Sequence, residues 1–341
     1  MPSHDSSHDR KVWADLCRVV AIFGVILIHA CGATFYQFGK ITELDWLSAN
    51  FLDSLVRCSV PLFVMLSGAL LLKKNTPLAT PQQILIRIRK VGIPLLTWSV
   101  AYLYYVSYYT GEAVDFLSIL KQPSMYHLWF VYMLIGLYFL IPILQAIFQA
   151  IISRRDVQIY LLFLWLVISG IQIWWPLPFL SLLYLTSLLG YGGYFLIGGV
   201  VGSIASKKKI ISPWILVYFI SVLVTFFITW NLSSHSNSVD ERAYLYFSPN
   251  VFIASVSAFI ILTRIHINNS KRVLSKISDL CFLIFFIHVV VLERVQNYML
   301  SLNLFMPSII NILANALLTF GLCFVIALVI RLLPKSKVIL G

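Results

Sequence analysis

Ten stretches of about 20 predominantly apolar residues follow one another along this chain. A run of that length is what a helix needs to cross the hydrocarbon core of a bilayer. They fall at 13–32, 48–72, 91–109, 127–148, 157–175, 182–203, 213–230, 249–266, 278–298 and 309–332. A soluble fold does not accommodate them. Sixty per cent of the residues are hydrophobic and 11% charged, where a soluble domain carries about 25% charged side chains. Lipid offers the backbone no hydrogen-bond partner, so each stretch must satisfy its own amides as a helix. The expected fold class is all-α, a polytopic membrane bundle of about ten transmembrane helices forming one domain over residues 1–341. Pro176 and Pro178 break the pattern within 173–190, where the sixth span restarts late. The sequence shows no internal repeat, which argues against an inverted-repeat transporter.

The net charge of +12 reports orientation rather than a nucleic-acid partner. Most of the 25 basic residues fall in alternate connections. These hold Arg10 and Lys11; Lys73, Lys74, Arg87, Arg89 and Lys90; Arg154 and Arg155; Lys207 to Lys209; Arg264, Lys271, Arg272 and Lys276; and Arg331, Lys335 and Lys337. The opposite connections hold only Lys40, Lys121 and Arg242. Positive-inside sorting then predicts a multi-pass protein with both termini in the cytoplasm. The polar start, MPSHDSSHDRK, runs straight into the first span without a small-residue cleavage site, which predicts an uncleaved span. The connections around Glu43, Asp45, Glu112, Asp115, Asp240 and Glu241 are too short for a separate domain, so any chemistry falls to the bundle. The five cysteines lie in apolar stretches without a C-x-x-C pair, which predicts buried thiols, no disulfide framework and no metal.

An ionisable side chain at the centre of a spanning helix costs about 2.5–3.5 kcal/mol on insertion scales, so each one has a reason. Asp15, Arg18 and His29 share a face of the first span. Arg18 and Asp15 are i,i+3 neighbours able to pair, and His29 stands roughly 16 Å further along the axis. This stripe predicts a polar cavity crossing much of the bilayer. In the second span Asp53 and Arg57 are i,i+4 and pair on one face. Arg87, Arg89 and Lys90 enter the third span, where guanidinium groups suit phosphate oxygens. His127 opens the fourth span at about the height of His29; His288 lies within the ninth, with Glu293 and Arg294 beyond it. Sorted by depth, Arg18, Arg87, Arg89 and Lys90 belong to the cytoplasmic half. His29, Arg57, His127, His288 and Glu293 belong to the middle or outer half. That order suits a protein taking an anionic donor from one side and acting on an acceptor from the other. Proton-coupled transport would use similar groups.

Several segments resemble the membrane acyltransferase-3 family. These are DLCRVVAIFGVILIHA with Arg18 and His29, RCSVPLFVMLSG from Arg57, RIRKVGIP from Arg87, and FFIHVVVL around His288. The stretch KQPSMYHLWFVYMLIGLYFLIPILQ is similar to the enterobacterial common antigen O-acetyltransferase branch. The resemblance covers nearly the whole chain. It implies a ten-helix core with cytoplasmic termini. It also implies transfer of acetyl from acetyl-CoA, as co-substrate, to a hydroxyl of an envelope saccharide or lipid-linked sugar. Carried over, His29 is the expected catalytic histidine and Arg18 its partner. Arg87 begins the family's Arg-x-x-Arg pattern, whose second place holds Lys90 here, which keeps the charge and loses the bidentate fork.

On this reading His29 is the base that takes the proton from the acceptor hydroxyl, and Arg57 or a neighbouring polar group steadies the tetrahedral intermediate. Arg18, Arg87, Arg89 and Lys90 hold the phosphates of CoA. Asp53, His127, His288 and Glu293 are candidates for the acceptor side. The competing class is a transporter or flippase of saccharide lipids with no acyl-transfer chemistry.

Overall fold

Helices take up the apolar stretches, and no strand occurs among the described residues. The computed structural model describes residues 12–174, 185–204, 210–265, 267, 271–302 and 306–341. Arg10, Lys11, Pro176, Pro178 and Lys207 to Lys209 lie outside them. In chain order the long helices are α1 (Val12–Phe35), α2 (Glu43–Val56), α3 (Ser59–Leu71), α4 (Pro81–Thr110), α5 (Trp129–Phe139) and α6 (Ile141–Ile151). They continue with α7 (Arg155–Trp174), α8 (Leu185–Ile204), α9 (Ser212–Ser236), α10 (Pro249–Arg264), α11 (Lys271–Ser301) and α12 (Ser308–Ile330). Among the described residues, seven helical runs are long and apolar enough to cross a membrane, or eight with one bent pair counted as a span. This is a polytopic all-α membrane protein. The expected stretch at 91–109 falls within α4, and the described part of 182–203 falls within α8.

Local chemistry sets where these helices start and break. Thr80 caps α4 through a reciprocal box with Gln83, and Pro81 takes the first turn, where its missing N–H costs nothing. Thr42 caps α2 by accepting from the Asp45 amide at 3.2 Å. The 29-residue run Glu43–Leu71 is interrupted at Arg57 and Cys58. Pro61 accounts for the break: it has no N–H to offer the Arg57 carbonyl four residues back, and its ring crowds that carbonyl. Pro142 likewise marks the 65° bend between α5 and α6.

The helices sort into an inner and an outer set. The hydrophobic windows of α1, α2–α3, α10 and α11 are between 56% and 61% buried, those of α7, α9 and α12 between 17% and 33%. Helix α1 is central and packs against α2, α3, α10, α11 and α12. The α3–α8 contact is the most extensive in the bundle. It is made backbone to backbone, since a Cβ on Gly68 would stand 1.8 Å from the Phe195 carbonyl and one on Gly198 2.0 Å from the Met65 carbonyl. Helix α9 turns its apolar side chains outward, with Leu216, Phe219, Ile220, Leu223 and Phe227 exposed. Its Ser221, Thr225, Thr229 and Ser233, spaced by four, are buried. All five cysteines are free and buried, as their apolar settings predicted.

Candidate active site

The polar groups inside the bundle gather at two levels. At the first, Arg18 Nη1 donates to Asp15 Oδ1 at 2.8 Å and to Ser278 Oγ at 3.2 Å, while Ser278 Oγ donates to the same Asp15 oxygen at 2.7 Å. The i,i+3 pair expected within α1 is therefore present, and Ser278 ties it to α11. Above this triangle opens a cavity of about 990 Å³. Arg18, Lys73 and Arg87 bring positive charge to its wall against the carboxylates of Asp15 and Asp279, a net excess of one positive charge, and Ser67, Tyr138 and Ser278 bring hydroxyls. Arg89 and Lys90 are exposed on α4 and are not among the lining residues. Lys73 lines the cavity, although in the sequence it marks only the topology. Its place in the α3–α4 connection brings it to the same end of the bundle as Arg87.

The second level holds the histidines. His29 and His127 line a chamber of about 40 Å³ together with Val25, Ile28, Val60, Trp129 and Tyr246. His288 stacks on His29 with ring centroids 5.3 Å apart, and His127 meets His288 edge to face at 5.0 Å. Three residues far apart in sequence thus form one imidazole cluster, with Tyr126 5.1 Å from His29. The Phe285 carbonyl accepts from His288 Nδ1 at 2.6 Å. A carbonyl oxygen only accepts, so Nδ1 carries the ring proton and the buried Nε2, which has no hydrogen-bond partner, presents its lone pair. Both ring nitrogens of His127 are also buried without a hydrogen-bond partner.

Arg57 stands at the break between α2 and α3. Its Nη2 donates to Asp53 Oδ2 at 3.1 Å, and its Nε lies 3.0 Å from Asp53 Oδ1 as an ion-pair contact. The Tyr244 ring lies under the guanidinium at 4.2 Å, and Tyr246, which lines the histidine chamber, neighbours it as well. The pair expected from the i,i+4 spacing is therefore formed and is nearly sealed, with side chains 12% and 3% exposed. Glu293 stands apart: it is exposed, and accepts from the Tyr105 hydroxyl at 2.6 Å. Arg294 bonds the hydroxyls of Tyr105 and Tyr109.

The single cavity predicted from the α1 stripe is instead two. Aromatic side chains from neighbouring helices, Phe63, Phe130 and Phe285, line both recesses and stand between them. Sequence reading missed them because a phenylalanine facing a cavity and one facing the core look alike in an apolar helix. No group of His, Cys, Asp and Glu among the described residues is arranged to hold a metal ion.

A cavity with three basic side chains, a nearly sealed arginine and a cluster of imidazole rings beside them make acid–base group transfer from an anionic carrier chemically feasible. The family model for the acyltransferase-3 group, described as an acyltransferase domain, matches residues 11–330. No curated protein and no solved structure is significantly similar to the chain.

Proposed function

Since the chain belongs to this acyltransferase family and is a multi-pass membrane protein, we propose that it takes acetyl from cytoplasmic acetyl-CoA and transfers it to a sugar hydroxyl. The acceptor is an envelope saccharide or lipid-linked sugar, such as enterobacterial common antigen, met at the opposite end of the bundle. The protein sits in the bacterial inner membrane with both termini in the cytoplasm, following the basic connections. The observation that carries the reading is the 990 Å³ basic cavity abutting the histidine chamber. Arg18, Lys73 and Arg87 meet the phosphates of CoA, for which guanidinium and ammonium groups are suited. The thioester arm then points toward His29.

In the step itself, His29 takes the proton as the acceptor oxygen attacks the thioester carbonyl carbon. The new C–O bond forms, the C–S bond breaks, and His29 returns the proton to the departing CoA sulfur. Arg57, held by Asp53 and Tyr244, supplies fixed positive charge for the tetrahedral oxyanion.

Purified protein incubated with radiolabelled acetyl-CoA and a lipid-linked saccharide tests this. Labelled ester is expected. In a His29→Ala protein that inserts normally, its rate falls by roughly 10²–10⁴-fold, the usual contribution of a positioned acid–base group. Full acetylation by that variant overturns the assignment of His29, and movement of saccharide lipid without ester formation favours a carrier.

A further inference from the structure

Among the described residues, the basic cavity and the histidine chamber share three lining side chains: Phe63 from α3, Phe130 from α5 and Phe285 from α11. The rings form an arc, with centroids 5.8 Å apart between Phe63 and Phe130 and 5.5 Å apart between Phe130 and Phe285. Anything reaching His29 from the basic cavity passes these rings. The chamber behind them measures about 40 Å³. It is small beside the 990 Å³ of the basic cavity, and it suits a short group better than a long one. Its walls are mixed in polarity. Val25, Ile28 and Val60 offer an apolar side. His127, 2% exposed, adds a polar ring to that wall.

We propose that Phe63, Phe130 and Phe285 form a neck, and the chamber behind it an acyl subsite, that together set the length of the acyl group transferred. This rests on the acyl-transfer reading above and adds to it the residues that choose the donor. CoA and its arm stay on the basic side of the neck. The acyl group alone passes it, to meet His29 and the acceptor oxygen; the ester C–O bond forms there, and the C–S bond breaks at the neck. Chains longer than acetyl do not fit the chamber without displacing rings that are packed on three helices.

The test uses the full chain in lipid nanodiscs with envelope lipid-linked saccharide as acceptor. Acetyl-, propionyl-, butyryl- and octanoyl-CoA are supplied in separate arms, and the ester is identified by mass. An ill-fitting methylene costs about 10–200-fold in kcat/KM. The wild type is therefore expected to prefer acetyl over butyryl by about 100-fold or more. Phe63 is the least buried of the three, and Phe63→Ala is expected to raise the butyryl-to-acetyl ratio by about tenfold or more, with Phe63→Leu in between. Equal use of butyryl and acetyl by the wild type overturns the proposal, as does an unchanged ratio in the folded variants. If Phe63→Ala fails to fold, Phe63→Leu and the wild-type preference decide. Transfer from no donor at all defeats the acyl-transfer reading itself, and the neck with it; transfer with the wrong selectivity defeats the neck alone.

Discussion

Arg57 shows how far a single side chain can be read from its neighbours in sequence. Its pairing with Asp53 follows from i,i+4 spacing, because both partners sit on one helix. Its contacts with Tyr244 and Tyr246 join segments nearly two hundred residues apart, and no local spacing encodes them. The histidines repeat the lesson. Each one is conspicuous in an apolar stretch, yet that His288 stacks on His29 while Glu293 stays at the surface is a matter of helix rotation and packing. The buried pair also separates folding from chemistry. Removing one charge strands the other, a loss of about 3–5 kcal/mol, whereas replacing both by groups of similar volume is often close to neutral. Asp53→Asn is therefore expected to lower the melting temperature of the detergent-solubilised protein strongly. The double change Asp53→Asn, Arg57→Met recovers most of that stability while leaving acyl transfer lost. Equal melting temperatures for wild type and Asp53→Asn would contradict the account.

At the scale of helices, existence was legible and orientation was not. Ten apolar stretches mark where helices lie because hydrocarbon imposes length and composition on any span. The same uniformity hides which side faces lipid, since interior and lipid-facing residues are alike apolar. Helix α9 is the clearest case. Its small hydroxyl residues at 221, 225, 229 and 233 mark the buried side, with Ser221 Oγ and Thr225 Oγ1 donating to carbonyls of the preceding turn at 2.9 and 2.8 Å. Its large apolar residues point away. The α3–α8 seam follows a similar rule through glycine. Gly198→Ala places a methyl 2.0 Å from the Met65 carbonyl oxygen, and neither partner is a side chain that can swing aside. Overpacking of this kind costs about 1–3 kcal/mol. Thermal unfolding in detergent is expected to register it as a clear downward shift, and an unshifted transition would show that the seam gives way freely.

For the molecule as a whole, the structure brings Arg18 and Arg87 to one cavity and the three histidines into one cluster, groupings in line with the sequence-based sorting by depth, whereas that reading took a single channel from one helix face. Three rings from other helices divide it, and a one-helix pattern has no means of showing them. The same difference appears among the basic residues entering α4. Arg87 lines the large cavity, while Arg89 and Lys90 point elsewhere. A hydrogen bond to a charged group contributes about 1.5–3 kcal/mol. Arg87→Ala is therefore expected to weaken acetyl-CoA binding by about tenfold or more, and Arg89→Ala by much less, both measured by titration calorimetry at fixed salt. Equal losses from both would mean that the donor is held by diffuse charge and not by the cavity wall.

An enzyme that works through a bilayer must also leave that bilayer insulating. Two recesses that share a wall would, if water filled both and nothing closed the gap, give protons a way across the membrane. The arc of Phe63, Phe130 and Phe285 supplies an apolar plug where they meet. Evolution toward bulkier donors along this path would therefore trade away electrical tightness.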